Sequence, residues 1–151
     1  MDMKTKFNNV KIIESPVFLH HLTFLQNIIN RMGSNSFIIK TLAISFIGIV
    51  FSFVSTPSYI YMIIGIFIIL MLSFLDSYYL RLERFFRRSY LQLIKNIEIT
   101  PIDKLLIIEV NKEELKEISW YKVFFSTSII GYYLPLLIIV ILFFCDKKMI
   151  I

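Results

Sequence analysis

Cysteine is almost missing from this chain of 151 residues. Cys145 stands alone, so no intramolecular disulfide forms, and its place at the end of an apolar run suits a buried or lipid-facing thiol. Histidine is equally scarce. His20 and His21 are neighbours, about 100° apart on a helix, and no Cys, Asp or Glu follows either at the spacing that completes a metal face. The expectation is no metal and no cofactor. There is no Gly-rich phosphate loop, no spacing that suggests a Ser–His–Asp set, and no pair of carboxylates inside an apolar segment, so the chain reads as a non-enzyme. The first 36 residues lack the short apolar core of a secretory leader, and nothing is predicted to be cleaved. The most informative absence is of charge: none occurs from Thr41 to Leu75, and none from Val123 to Cys145.

Apolar side chains fill those stretches. Hydrophobic residues make up 57% of the chain, too many for an ordinary soluble domain, and their segregation from the 18% that are charged marks lipid as the solvent. The expected fold is an all-α membrane protein with three transmembrane helices, an N-terminal amphipathic helix and a small cytoplasmic region. Residues 1–36 read as a cytoplasmic tail and then the amphipathic helix, with Ser15 as N-cap and Pro16 in the first turn. Phe18, Leu22, Leu25, Ile29 and Met32 fall on one face of that helix, and His20, Thr23, Asn27, Asn30 and Arg31 roughly on the other. Gly33-Ser34-Asn35-Ser36 is expected to interrupt it. Residues 37–75 are a transmembrane hairpin, Phe37 to Ser55 and Tyr59 to about Leu75, turning at Ser55-Thr56-Pro57-Ser58, with Lys40 snorkelling to the interface. Residues 76–119 continue as a basic helix to Asn96, an extended or irregular stretch from Ile97 to Val110, and a short charged helix from Lys112 to Ser119. Residues 120–145 open with Trp120 and Tyr121 and cross a third time from Val123 to Cys145, leaving 146–151 as a C-terminal tail. Lys and Arg crowd the N-terminal tail and the 76–119 region but are missing from the first turn. The N-terminus and the central region are therefore expected on the cytoplasmic side of a bacterial inner membrane.

The net charge of +5 points to an anionic partner, first of all the lipid headgroups of the bilayer. Arg81, Arg84 and Arg88 share one side of the predicted helix, with Arg87 and Lys95 on the same run and Tyr79, Phe85, Phe86 and Tyr90 interleaved. Anionic lipid fits this pattern, and so do phosphates of a nucleotide or single strand whose bases lie on the rings. Lipid anchoring is the plainer reading, but copies meeting around an axis would gather the arginines into a ring able to hold a polyanion. Asp76 is the nearest thing to a membrane carboxylate, and pairing with Arg81 or another basic residue is its structural reading. In the third span, Ser126, Thr127, Gly131, Tyr133 and Pro135 carry two readings. Thr127 and Gly131 are small residues suited to close helix contact, with Pro135 able to kink the helix. Alternatively this face lines a water-filled path in an oligomer, and the apolar stretch 136–145 gates it by dewetting.

The segment from Phe24 to Lys40, with Asn30-Arg31-Met32-Gly33-Ser34-Asn35-Ser36 at its centre, resembles a family of small bacterial three-span membrane proteins, as does Leu75-Asp76-Ser77-Tyr78-Tyr79-Leu80-Arg81-Leu82-Glu83-Arg84-Phe85-Phe86-Arg87. Trp120, Phe125-Ser126-Thr127 and Tyr132-Tyr133 resemble its third-span pattern, so the likeness covers most of the chain outside the tail and residues 97–116. It is similar to the membrane effectors paired with nucleotidyltransferases in anti-phage defence, of the Hailong type. The resemblance implies a homo-oligomeric ion channel, a tetramer, whose opening depolarises the infected cell. A nucleotide or single-stranded DNA made by the partner nucleotidyltransferase would hold it closed. The basic residues Arg31, Lys40, Arg81, Arg84, Arg87 and Arg88 would be the ligand site, and Asn35, Lys40, Arg81, Glu83, Arg84 and Arg87 are the matching motif positions. A non-conducting membrane adaptor for a cytoplasmic partner and a holin-like lesion protein are the alternatives.

Overall fold

The computed structural model describes residues 15–53, 59–95 and 112–149, which are almost entirely helical. The order is α1 (Pro16–Phe53), α2 (Tyr59–Lys95), α3 (Lys112–Glu117), α4 (Trp120–Phe124) and α5 (Thr127–Met149). The expected tail before Ser15, the turn at 55–58 and the irregular stretch at 97–110 lie outside the described residues. Three helices, α1, α2 and α5, are long and apolar enough to cross a membrane. At about 1.5 Å per residue, the 38 residues of α1 and the 37 of α2 each reach about 55 Å, well beyond the ~30 Å of a hydrocarbon core.

Two expectations are corrected here. The segment Gly33-Ser34-Asn35-Ser36 does not interrupt anything: α1 runs through it, so no separate N-terminal helix exists among the described residues. Gly and polar residues cost a helix up to about 1 kcal/mol each, but Met32, Ser36, Ile39 and Ala43 form one buried stripe across the segment, and tertiary packing outweighs local propensity. The side of residues 16–32 that carries His20, Thr23, Asn27 and Asn30 also exposes Val17, Leu19 and Phe24, so its polarity is mixed. The third span also begins later than Val123. Phe125 and Ser126 make a turn, closed by Phe125 N–H donating to the Tyr121 carbonyl at 2.9 Å and Ser126 N–H to that of Val123 at 3.0 Å, and α5 then starts at Thr127.

The described parts divide into two units. One comprises the described residues of 1–32 and 82–118, where Phe18, Leu25, Met32, Phe85, Phe86 and Ile118 are buried. Arg88 of α2 pairs with Glu117 of α3 at 3.2 Å, which joins two elements far apart in sequence.

The other unit comprises 33–81 and the described residues of 119–151. Its core is Ala43 and Ile47 from α1, Ile69 from α2, and Ile129, Tyr133, Val140 and Phe144 from α5. Along α1 and α5 these positions recur every four or seven residues, the repeat that keeps one seam facing its neighbours. Tyr132 meets Lys40 and Phe51 stacks on Phe143 with ring centroids 3.9 Å apart, so α5 runs in the same direction as α1. Asp76 meets Ser36 and Lys40 while Gly65 lies against Val140, so α2 runs opposite to both. Trp120 lies between Phe74 at 4.7 Å and Phe124 at 5.1 Å, an aromatic cluster of the kind found at membrane interfaces.

Candidate functional site

Across apolar helices that bury mostly Ile, Val and Phe, one polar cluster stands out. Ser36 and Lys40 are one turn apart on α1 and therefore share a face. Both reach Asp76 of α2, whose side chain is completely buried. The Lys40 ammonium lies 2.6 Å from Asp76 Oδ2 and also donates to the Ser36 hydroxyl at 2.8 Å, while that hydroxyl donates to Asp76 Oδ1. The three groups close a ring in which each touches the other two. Lys40 retains 19% side-chain exposure and is the most exposed member of the ring.

α5 completes the surroundings. The Tyr132 hydroxyl donates to the Lys40 backbone carbonyl at 2.6 Å, and the Lys40 ammonium stands 5.9 Å from the Tyr132 ring centroid. Tyr133 points inward and is only 3% exposed, and its hydroxyl lies beside the Asp76 carboxylate, close enough to interact with it. On α2, Ser73 and Ser77 turn their hydroxyls back onto the carbonyls of Leu70 and Ser73, at 2.8 and 2.7 Å, so they are satisfied within their own helix. The ion pair sits near one end of the uncharged parts of α1 and α2.

The basic residues fare differently from one another. Lys40 is committed to Asp76 and Ser36, which gives Asp76 its partner and removes Lys40 from the expected anion site. Arg31 and Arg84 are exposed, and Arg81 is half-buried. Arg87 is exposed and bound to Glu83 one turn back at 2.7 Å, and Arg88 is bound to Glu117. Of the residues singled out in the third span, Tyr133 and the Ser126 hydroxyl are buried, whereas Thr127, Gly131 and Pro135 are exposed. They do not share one face. A Cβ added at Gly131 would meet nothing within 4 Å, so the close approach expected there is absent from this chain's own packing; Gly65 makes it instead, 3.6 Å from Val140 Cγ1.

The sequence reading also missed an outward stripe on α1. Ser34, Thr41, Ser45, Gly48 and Ser52 recur at helical spacing on the side opposite Ser36, Ile39, Ala43 and Ile47, and all five are exposed. Thr41 and Ser52 satisfy their donors on the carbonyls of Phe37 and Gly48, at 3.0 and 2.8 Å. Gly48 has open space around it. The stripe is broken by two large apolar residues, Phe37 and Ile38, which are 71% and 50% exposed. Among the described residues no three His, Cys, Asp or Glu side chains converge as a metal site. No protein-family model, curated protein or solved structure matches this chain.

Proposed function

We propose that this chain is the subunit of a homo-oligomeric, gated pore in a bacterial inner membrane, with α1 as the helix that lines it. The observation that carries the reading is the stripe Ser34, Thr41, Ser45, Gly48 and Ser52, which faces away from the chain's own core and runs through the uncharged part of α1. Lipid gains nothing from such a face, whereas other copies gain close contact through small residues, and water gains hydroxyl partners along the axis they surround. Phe37, the more exposed of the two large apolar residues in the stripe, would form a ring at one level of the path, where a dewetted constriction gates conduction. This reading moves the lining from α5, where Ser126 and Tyr133 turn inward, to α1.

The resemblance to anti-phage effectors gives the pore its role. Opening would depolarise the membrane of an infected cell, and an anionic ligand, a nucleotide or short single-stranded DNA, would control it from the cytoplasmic side through Arg84, Arg87 and Arg88, with Arg81 one turn earlier on the same helix and Arg31 of α1 in the same unit as Arg84. Arg84 and Arg31 are the exposed members of this set with no ion pair among the described residues, and Arg84 is the one on the basic run of α2. Reconstitution of the purified chain in liposomes loaded with a potential-sensitive dye tests the reading. Ion flux that depends on the protein is expected; intact, inserted oligomers that pass no ion with or without oligonucleotide would leave a non-conducting anchor.

A further inference from the structure

We infer that Asp76 is a proton-binding site and that the ion pair with Lys40 is one of two states of a charge-exchange switch. The inference rests on the geometry of the cluster and does not require the pore. The Asp76 carboxylate is fully buried, and the cation that neutralises it is a long flexible side chain that is 19% exposed. Tyr132 holds the Lys40 backbone to α5, which leaves the ammonium as the part that moves. Should the ammonium swing out toward the interface, a bare carboxylate would be left in a medium where an unpaired charge costs several kcal/mol. A proton on Oδ2 removes that cost.

The surroundings already contain the partner such a proton needs. The Tyr133 hydroxyl is buried beside the Asp76 carboxylate and within reach of it, and a phenol can donate to a carboxylate or accept from a protonated carboxyl. When Oδ2 carries a proton, its O–H can donate to that hydroxyl, and Ser36 keeps its bond to Oδ1. The exchange balances. Lys40 leaves with its own proton, one O–H bond forms at Asp76 Oδ2 as a hydronium ion gives up a proton and becomes water, and the net charge of the chain rises by one. Acid therefore favours release. The charged and titratable groups around Asp76 are Lys40 from α1, Tyr132 and Tyr133 from α5, and Arg81 further along α2 itself; α1 and α2 otherwise carry no charge from Thr41 to Leu75.

Infrared difference spectroscopy of the full chain in lipid, between neutral and acidic pH, tests the switch directly. A buried protonated carboxyl band is expected to grow on acidification, to be absent in Asp76→Asn, and to be present already at neutral pH in Lys40→Met, where the competing cation is gone. Aspartate labelled with ¹³C assigns the band to one of the four aspartates, Asp2, Asp76, Asp103 and Asp146, and its loss in Asp76→Asn singles out Asp76. If the wild-type chain shows no labelled band at the frequency of a buried carboxyl at any pH at which circular dichroism still reports folded helices, the exchange is overturned. A band without ion flux would leave the proton site standing and remove the pore; flux without the band would do the reverse.

Discussion

A lysine and an aspartate alone in apolar helices constrain each other more than any apolar contact does. Either one buried without its partner is an uncompensated charge, so removing a single member costs roughly 3–5 kcal/mol, whereas removing both costs far less. Asp76→Leu in detergent should therefore lower the thermal unfolding midpoint sharply, and Lys40→Met combined with Asp76→Leu should recover most of the loss; additive effects in that double-mutant cycle would mean the pair is not coupled. The signal for this pair was present in the sequence, as two opposite charges flanking uncharged segments with Ser36 one turn before Lys40. What could not be read was that Lys40 turns inward to Asp76, because a lysine near a membrane surface is equally able to snorkel outward.

At the scale of the helix, α1 carries two faces with different tasks. Its inner stripe packs on α2 and α5, and its outer stripe is small and polar. Gly48→Leu and Ser45→Leu should leave the fold of the single chain intact and reduce the mass of the detergent-solubilised oligomer, while Phe37→Ser should raise basal flux through the liposome membrane several-fold. A pore whose flux ignores Phe37 would be lined elsewhere. Two glycines make a control pair. Gly65→Leu should disturb the packing of α2 on α5 at Val140 and lower the unfolding midpoint, whereas Gly131→Ala, with open space around it, should be neutral or slightly stabilising in a helix. The three apolar spans were legible from charge segregation alone. The break expected at 33–36 was misread because turn-forming residues signal a turn only where packing does not outweigh them, and here Ser36 is tied to Asp76 and Lys40.

For the whole molecule, the two units hold different chemistry: an arginine-rich surface in one and the buried ion pair in the other. Charge reversal of Arg84 and Arg87 should weaken binding of a short single-stranded oligonucleotide and flatten its salt dependence by about one phosphate per lost contact. Reversal at Arg84 should have the larger effect, since Arg87 is already held by Glu83; titration by fluorescence anisotropy at several salt concentrations decides this. Unchanged affinity would take both residues out of the ligand site. Reporter fusions after residue 88 should report the cytoplasmic side, and an external location would reverse the orientation.

Hydrophobicity acts residue by residue, so the sequence by itself determined the number of spans, the place of the basic run and the need for lipid. Partnership between distant side chains depends on how helices are rotated and aligned, which a linear pattern does not contain. Only the tertiary structure therefore decided that Lys40 turns to Asp76, that Tyr133 faces inward beside them, and that the hydroxyls of α1 face outward, because each of these follows from which side of a helix is buried by the others.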